Sequence, residues 1–409
     1  MKKKLLLLII ILSIIMYGCG SYNNAVTDNN QNNGQAHKPP QNADVDSIQQ
    51  QIQQMTTDEK IGQMVMVGLE GYEKHPYAQE MITKYKVGGF IFFKRNIKDA
   101  YQTLTLINSL KEANRENKIP LFFAVDEEGG RVTRMPAEFT KLPTSRAIGK
   151  INSEDFAFEI GSIIGQQLKS LGFNMNFAPV LDIDSNPKNP VIGDRSFGSN
   201  EEIVSRLGAA TMKGIQSQVI SAVKHFPGHG DTSTDSHIGL PVVNHDMVRL
   251  KQFELVPFAN AIESGADMVM VAHISLPEID EENPATLSEK VITDVLRDGM
   301  KFDGIVITDD MTMGAITENY DIGDAAVKSV ASGVDIVLIC HDNEKQVKVL
   351  EALKQAVADG VISEDSLDDH IYRILELKKK YTINNEQIES VDVKGMNEKT
   401  GDVLNKYLK

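Results

Sequence analysis

The segment KHFPGHGDTSTDSHIGLP, residues 224–241, is dense in side chains that can carry protons or bind metals. It contains three histidines, two aspartates, a lysine and three glycines. Because glycine and proline at this frequency disfavour a helix, the segment is predicted to be a loop. Two kinds of chemistry use such a set of side chains: a metal site built from His and Asp ligands, or a relay that moves protons to and from a bound substrate.

The residue types in this segment leave both alternatives open. His225, His229 and His237, together with Asp231 and Asp235, are enough ligands for zinc. Phe-Pro-Gly separates His225 from His229, however, and cannot hold the two rings on one face of a helix. Loss of activity in a chelator, restored by Zn²⁺, would indicate the metal site.

A second chemically suggestive segment is GIVITDDM, in which Asp309 and Asp310 directly follow an apolar run. A carboxylate at the end of a strand can attack a sugar's anomeric carbon and form a glycosyl-enzyme. An Asp in this position also commonly caps the next helix. Taken alone, the segment allows either role for Asp309.

The elements that position these residues are predicted from hydrophobic patterns. Short runs rich in Val, Ile and Phe, which indicate buried strands, alternate with longer amphipathic stretches. One helix is predicted from Ser153 to Leu171, and another from an N-cap at Ser288 to Gly299. The predicted strands are GQMVMVG near residue 62, GGFIFF near 88, LFFAVD at 121, NMNFAPVLD at 174, VISAVKHF at 219, DMVMVAH at 267, GIVITDD at 304 and DIVLIC at 335.

Eight strand–helix units without hairpin signals predict parallel pairing in a TIM-type (β/α)8 barrel, with an open doubly wound sheet as the alternative. Sites in such barrels lie at the C-terminal ends of the strands. Five polar segments obey that rule, so they are expected to converge on one rim. They are VDEEGGR, GDRSFG, KHFPGHGDTSTDSH, AHISLP and TDDMTM.

These segments resemble glycoside hydrolase family 3, and specifically its β-N-acetylglucosaminidase branch. KHFPGHGDTSTDSH is the most specific match, while AVDEEGGRVTRM, GDRSFG and ITDDMTMGAI support the resemblance independently. The similarity runs from about Thr57 to Tyr381. It implies a single barrel without the second α/β domain that family 3 glucosidases often carry.

The resemblance also implies catalytic roles for three residues. Asp309 matches the family's nucleophile, and His237 matches its general acid/base, oriented by Asp235. An imidazole titrates near neutrality, and a nearby carboxylate fixes its tautomer, so the pairing suits proton transfer. With these roles, Asp310 is a supporting acid, and no metal or cofactor is implied.

Other residues match the family's substrate-binding positions, at the subsite for the nonreducing sugar. For His273, which resembles a pocket residue, a structural role within the core is the alternative. The matching positions are Asp126, Arg131, Arg195, Lys224, His225 and His273.

The composition bears on the substrate. The sequence has no Trp, whereas grooves for long polysaccharides usually stack several sugars on aromatic faces. A pocket for one terminal sugar, and therefore exo action, is expected. The resemblance implies that GlcNAc is removed from muropeptides or other peptidoglycan fragments. The alternatives are a β-glucosidase or broader family 3 hexosidase, and a noncatalytic cell-wall-binding lipoprotein.

The net charge of -15 argues against a nucleic-acid partner, because the summed field of the protein repels polyanions. The N-terminus begins with three lysines and an apolar run, which predicts a signal peptide over residues 1–18. The Gly18-Cys19 junction resembles a bacterial lipoprotein signal, so Cys19 is the expected lipidation site and membrane anchor, with ordinary secretion as the alternative. The remaining predicted segments are a polar tether over 19–44, the catalytic barrel over 45–381 and a C-terminal extension over 382–409. An extracytoplasmic, lipid-anchored protein is expected.

Overall fold

The computed structural model describes residues 46–233, 235, 236 and 239–408. The predicted signal peptide, the lipidation site Cys19 and the tether over 19–44 therefore lie outside the described residues. So does His237, the predicted acid/base.

Eight parallel strands form the barrel, and each contains part of a predicted strand. They pair in the order β10-β1-β2-β3-β4-β5-β6-β9, and a bridge between Ile307 and Ile336 closes the circle. The predicted (β/α)8 fold is confirmed and the open-sheet alternative is wrong. A small antiparallel hairpin follows β6. The strands are β1 (Val65–Gly68), β2 (Gly89–Phe92), β3 (Phe122–Val125), β4 (Met175–Asn176), β5 (Ile220–Phe226), β6 (Met268–Val271), β7 (Ser275–Leu276), β8 (Asp280–Pro284), β9 (Ile305–Thr308) and β10 (Val337–Ile339).

Helices surround the barrel, and three short 3₁₀ turns cover Lys94–Asn96, Gly193–Arg195 and Ala285–Leu287. A π-helix spans Lys290–Gly299. The α-helices are α1 (Ser47–Gln53), α2 (Thr57–Gln63), α3 (Pro76–Thr83), α4 (Ala100–Ala113), α5 (Ser145–Ile151), α6 (Glu154–Leu171), α7 (Glu201–Gln216), α8 (Met247–Gln252), α9 (Val256–Glu263), α10 (Gly314–Thr317), α11 (Ile322–Ala331), α12 (Asn343–Ala358), α13 (Glu364–Lys380) and α14 (Val393–Tyr407).

The two helices predicted in detail form where expected. Ser153 caps α6 by accepting from the Phe156 N–H, and Gly172 ends it with a left-handed φ of 96°, which glycine adopts without a Cβ penalty. Ser288 Oγ accepts from the Val291 N–H at 3.2 Å, as its predicted cap role requires. The helix that follows has π rather than α bonding, a difference that the apolar spacing did not indicate.

The N-terminal ends of the strands are closed by Lys378 from α13. Its buried Nζ lies 2.6 Å from Gln63 Oε1, 3.2 Å from the Gly88 carbonyl and 2.7 Å from the Pro120 carbonyl, and 4.3 Å from the centre of the Phe122 ring. Burial holds the pKa of Lys378 well below its ordinary value. This end of the barrel is therefore plugged, and access is from the other end.

The closure between β9 and β10 is supported by buried Asp335. Its carboxylate accepts from Arg297 at 2.5 Å, His370 at 2.8 Å, Arg373 at 2.9 Å and the Val306 N–H at 2.7 Å. Burial would raise the pKa of Asp335, but Arg297, His370 and Arg373 outweigh it and lower the pKa to about 2. One carboxylate thus ties two strands to the surrounding helices.

The predicted C-terminal extension packs on the helical layer. Lys111 Nζ of α4 donates to the Glu386 carbonyl at 2.9 Å. The Tyr407 ring of α14 lies 4.8 Å from that of Phe156 in α6, and its hydroxyl lies 3.1 Å from Glu159. The extension therefore joins α4 to α6 across the outside of the barrel.

The described chain starts beside the C-terminal half of α13. Asp46 Oδ2 accepts from the Tyr372 hydroxyl at 2.7 Å, and Ser47 Oγ accepts from Lys379 at 3.0 Å. Within residues 46–408, the described helices include none with the length and apolar character needed to cross a bilayer.

Candidate active site

A cavity of about 400 Å³ opens at the C-terminal ends of the strands. We call it the rim cavity. Its charged lining comes from the end of β5 and from the segments that follow β3, β4, β5, β9 and β10, as the sequence predicted for a (β/α)8 barrel. The charged and imidazole side chains that line it are Asp126, Glu128, Arg134, Arg195, Lys224, His225, His229, Asp309, Asp310 and His341.

Asp309 follows β9 directly and is partly exposed to the rim cavity. Its backbone N–H donates to the Val271 carbonyl at 2.9 Å, and its Oδ1 accepts from the Asp310 N–H at 2.8 Å. Burial would raise the pKa of Asp309, but the His225 and His273 rings, the Asp310 amide and Lys224 outweigh it and lower the pKa. Asp309 is therefore a carboxylate at neutral pH, the form that a nucleophile requires.

The carboxylate of Asp310 is used for structure and connects the ends of two strands. Its carboxylate accepts from the Thr312 N–H at 2.9 Å, the Thr312 hydroxyl at 2.6 Å and the Cys340 N–H at 3.0 Å. These bonds connect the segment after β9 to the end of β10. The geometry fits the supporting role predicted for Asp310.

His273 lies beneath the Asp309–Asp310 turn and is fully buried. Its Nε2 lies 2.9 Å from the Asp310 carbonyl, so Nε2 carries the hydrogen. Its Nδ1 lies 2.7 Å from the Thr286 hydroxyl. His273 is absent from the lining of the rim cavity, and the contacts favour the structural alternative over substrate binding.

One ion network joins four charged side chains near the C-terminal ends of β3 and β5. Asp126, Arg195 and Lys224 were predicted from the sequence, and Glu128 was not. Lys224 Nζ lies 2.7 Å from Asp126 Oδ1 and 2.8 Å from Glu128 Oε1. Arg195 donates two hydrogen bonds of 2.8 Å to the Glu128 carboxylate. Burial would raise the pKa of Glu128, but Lys224 and Arg195 hold it well below its ordinary value. Burial would lower the pKa of Lys224, but the carboxylates of Asp126 and Glu128 outweigh it and raise the pKa, so Lys224 and Glu128 stay charged at neutral pH.

The tautomer of His225 follows from its two partners. Arg195 Nη2 lies 3.3 Å from His225 Nε2, and because a guanidinium only donates, Nε2 must accept. Nδ1 therefore carries the hydrogen and donates to Asp182 Oδ2 at 2.6 Å. Asp182 is fully buried and also accepts from the His229 N–H at 2.6 Å. This carboxylate fixes the ring that stands beside Asp309.

The loop after β5 is anchored through His229 and Ser236. His229 Nε2 lies 3.2 Å from Ser236 Oγ, and its Nδ1 lies 2.8 Å from Thr232 Oγ1. Burial and the nearby His225 lower the pKa of His229, so it is neutral at pH 7. The Ser236 backbone carbonyl accepts from the Ala315 N–H at 3.2 Å, which joins the loop to α10.

Asp235, the predicted partner of His237, lies in this loop and is half-buried. Its carbonyl accepts from the Gly239 N–H at 3.1 Å. Because His237 itself lies outside the described residues, the proposed dyad stays a prediction.

Arg131 and Arg134 occupy different places in the loop after β3. Arg131 is half exposed and donates to Asp194 Oδ1 at 2.7 Å and to the Val191 carbonyl at 2.7 Å. It does not line the rim cavity, whereas Arg134 does, with its guanidinium 4.0 Å from Asp126 Oδ2. The structure thus brings Asp126, Arg195, Lys224, His225 and Asp309 together and leaves Arg131 outside.

Sequence reasoning missed Arg134, Glu128 and Asp182. Arg134 stands three residues after Arg131 in the same motif, so its residue type alone could not separate the two. Asp182 ends the fourth predicted strand segment. The rule that placed Asp309 at a strand end could have found it.

Four of the five candidate metal ligands, His225, His229, Asp231 and Asp235, lie in the described part of the chain, and His237 lies outside it. Across 46–233, 235, 236 and 239–408, no group of three His, Cys, Asp or Glu side chains is arranged to hold a metal ion. His229, one of the candidate ligands, is already bonded through both ring nitrogens.

Comparisons with known proteins agree with this geometry. Residues 56–377 match the glycosyl hydrolase family 3 N-terminal domain. The β-hexosaminidase A of Pseudoalteromonas piscicida is 36% identical over an alignment of 367 positions that covers 80% of this chain and 61% of that protein. The chain therefore spans less than two thirds of this relative.

Two solved structures extend the similarity. A family 3 β-N-acetylglucosaminidase from Paenibacillus sp. FPU-7 superposes with a TM-score of 0.82 at 41% identity, covering 86% of this chain and 69% of that one. Zinc-bound CbsA from Thermotoga neapolitana gives a TM-score of 0.73 at 31% identity, covering 80% and 70%.

Proposed function

Because the chain belongs to glycosyl hydrolase family 3, we propose that it is a retaining exo-β-N-acetylglucosaminidase that removes terminal GlcNAc from muropeptides. One observation carries the proposal: Asp309, with a lowered pKa, lines a cavity whose lining also contains the network of Lys224, Asp126, Glu128 and Arg195. A carboxylate held ionised in a small polar cavity is the requirement of a double-displacement glycosidase.

In the first step an oxygen of Asp309 attacks the anomeric carbon while the glycosidic C–O bond breaks. His237 donates a proton to the departing oxygen. In the second step His237 removes a proton from water, the water oxygen attacks the same carbon, and Asp309 leaves. Two inversions retain the configuration. The role of His237 rests on the TDSH motif and on its place in the loop anchored by Ser236.

Sugar hydroxyls need a donor and an acceptor side by side. Lys224 directs two of its three N–H groups at Asp126 and Glu128, which leaves one for a hydroxyl. Asp126 Oδ2 faces Arg134 across 4.0 Å and can accept from a hydroxyl at the same place. The pair suits adjacent hydroxyls of one sugar ring.

The exo mode is supported by the shape of the site. The rim cavity is about 400 Å³, the size of a small-molecule pocket rather than a long groove. Lys378 and its partners close the barrel at the other end. A chain of sugars could therefore enter only by its terminal residue.

We further propose that the protein is an extracytoplasmic lipoprotein held to the membrane through Cys19. The basic and apolar segment before Gly18-Cys19 supports this. In cells, Cys19→Ser is expected to move the protein from the membrane fraction to the soluble fraction. An unchanged membrane fraction would contradict lipidation at Cys19.

Trapping the covalent intermediate tests the catalytic proposal. A 5-fluoro GlcNAc analogue should label Asp309, as mapped by peptide mass spectrometry. Asp309→Asn should lower kcat on nitrophenyl GlcNAc at least about a thousandfold with an unchanged circular dichroism spectrum. Labelling of another carboxylate, or inversion of product configuration, would overturn the assignment.

Two cheaper measurements separate the alternatives. Comparison of nitrophenyl GlcNAc with nitrophenyl glucose distinguishes the proposed enzyme from a β-glucosidase. Turnover should persist in EDTA, because Asp309 and His237 account for both bond-making steps without a Lewis acid. Loss of turnover that Zn²⁺ restores would support the metal alternative, and the absence of any turnover would support a noncatalytic binding protein.

A further inference from the structure

We propose that a second cavity beside the rim cavity binds the peptide carried by the leaving-group sugar; this inference rests on the proposed function. The second cavity, called here the flanking cavity, has a volume of about 380 Å³. It lies between the segment after β2, the loop after β3 and α6. Its charged and amide side chains are Lys94, Lys98, Glu127, Arg134, Lys141 and Gln167.

The two cavities share a wall. Arg134 lines both of them. Alternate residues at the end of β3 face opposite sides, since Asp126 and Glu128 line the rim cavity while Glu127 lines the flanking cavity. Arg134 therefore lies at the boundary between the two cavities, where a substituent on a sugar in the rim cavity would approach the flanking cavity.

Arg134 is held in this wall by Glu127. The buried Glu127 Oε2 accepts from the Thr133 hydroxyl at 2.8 Å, the Arg134 N–H at 2.7 Å and the Met135 N–H at 3.2 Å. The carboxylate is thus occupied by the loop itself. It presents little negative charge to a ligand in the flanking cavity.

The flanking cavity is positive in a protein whose net charge is -15. Lys94, Lys98 and Lys141 line it and are exposed. In the described part of the chain, no carboxylate lies within 4 Å of their Nζ atoms. Cations that are not neutralised by the protein favour an anionic ligand.

The side chain of Gln167 lines the same cavity and carries a buried acceptor. Gln167 is 1% exposed, and its Nε2 donates to Thr400 Oγ1 at 3.3 Å. Its buried Oε1 has no hydrogen-bond partner among the described residues. Because a buried polar atom without a partner costs free energy, a ligand N–H that reaches Gln167 Oε1 would be stabilised.

The two observations together specify the ligand chemistry. The lysine side chains favour a ligand with carboxylates, and Gln167 Oε1 favours a ligand with an N–H donor. A peptide with acidic groups supplies both, since every non-proline residue contributes an amide N–H. A neutral glycan supplies hydroxyls without charge, and inorganic phosphate supplies charge without an N–H.

The test compares two substrates that differ only in the peptide: GlcNAc–MurNAc with a stem peptide, and GlcNAc–MurNAc without one. The triple variant K94A/K98A/K141A should raise KM for the peptide-bearing substrate about tenfold, on the basis of three exposed ion pairs. Its kcat, and its KM for the peptide-free substrate, should stay unchanged. Added salt should weaken the wild-type preference, because exposed charges are screened.

The matched control is K118A/K169A/K213A. These lysines are also exposed, and they lie near the N-terminal ends of the strands, away from the rim. This triple variant removes the same charge and should leave both KM values unchanged. An equal effect of the two triple variants, or equal KM values for the two substrates in the wild-type protein, would overturn the proposal.

Gln167 supplies a second, independent readout. Gln167→Met keeps the length of the side chain but removes the acceptor, and should raise KM for the peptide-bearing substrate several-fold. The control is Thr400→Val, which breaks the Gln167–Thr400 bond but keeps Gln167 Oε1. Equal KM increases in the two variants would show an effect through packing and would contradict the acceptor role.

Failure of the proposed function is distinguishable from failure of this inference. If the wild-type protein cleaves neither substrate, the proposed function fails, but calorimetric binding of an isolated muramyl peptide still tests the flanking cavity. Binding that is weakened by K94A/K98A/K141A and not by K118A/K169A/K213A would sustain the inference. Absence of binding would overturn it.

Discussion

Charge balance at single side chains decides what the rim cavity can do. Asp126 and Glu128 are neutralised by Lys224 and Arg195, and Asp309 lies outside these pairs. The His225 and His273 rings and Lys224 lower the pKa of Asp309, and among the described residues no salt bridge to Asp309 is present. A reactive anion is thus kept ionised and accessible.

The two loop arginines provide a residue-scale prediction. Arg134→Ala removes a guanidinium that faces Asp126 in the cavity, and should raise KM for nitrophenyl GlcNAc about tenfold or more, the value of a charged hydrogen bond. Arg131→Ala removes only the exposed pair with Asp194 and should change KM less than about twofold. Steady-state kinetics on the two variants checks both values. A larger effect at Arg131 would restore the role that the sequence motif suggested.

Asp182 offers a second residue-scale prediction. Asp182→Asn removes the carboxylate that holds the His225 tautomer, so the pH dependence of kcat/KM should shift and its maximum should fall about tenfold. Asp184→Asn is the control, since Asp184 instead pairs with Arg146 at 2.5 Å. A pH profile that keeps its shape in Asp182→Asn would show that the carboxylate is only structural.

The residue scale also marks where sequence reasoning reached its limit. The strand-end rule placed the segments that contain Asp126, Lys224, His225 and Asp309 on one rim, because a strand direction fixes which end of a barrel a following side chain reaches, while the roles of these residues were implied by the resemblance to family 3. They could not separate Arg131 from Arg134, since the path of a loop depends on contacts such as the Glu127 carboxylate. His273 was ambiguous for the same reason.

Among the elements, the junction of β9 and β10 depends most clearly on one buried group. Asp335→Asn leaves Arg297 and His370 without their anion and should lower the free energy of unfolding by about 3 kcal/mol or more. Urea denaturation at pH 7 checks this. Asp321→Asn is the matched control, because the pair of Asp321 with Lys348 is exposed and its loss should cost less than about 1 kcal/mol.

The same carboxylate gives a pH prediction. The folded pKa of Asp335, about 2, lies below the ordinary Asp value of 3.8. Its stabilisation is therefore fully present above pH 3.8 and is lost as the pH falls from there through about 2. Wild-type protein should lose more stability than Asp335→Asn between pH 5 and pH 2, as measured by urea midpoints. Parallel losses in the two proteins would contradict the assignment.

Strand existence was predictable because buried parallel strands have almost continuous apolar sequences. Exact strand length was not. The fourth predicted strand, NMNFAPVLD, pairs regularly only at Met175–Asn176, since Pro179 has no N–H to continue the ladder. The π bonding of Lys290–Gly299 likewise has no signature in the apolar spacing.

For the whole molecule, the C-terminal extension acts as a brace outside the barrel. Deletion of residues 392–409 would expose apolar surface around Phe156 and remove the bonds to Glu159. We expect the free energy of unfolding to fall by roughly 3 to 5 kcal/mol, while kcat on nitrophenyl GlcNAc stays within about twofold, since α14 does not line the rim cavity. Calorimetry and kinetics on the truncated protein check the two halves. A large loss of kcat with unchanged stability would contradict the brace.

Asp46 and Ser47 accept hydrogen bonds from Tyr372 and Lys379 of α13. The same helix carries Lys378, which closes the barrel at the N-terminal ends of its strands. The first described residues therefore lie at the closed end of the barrel, on the side opposite the entrance to the rim cavity.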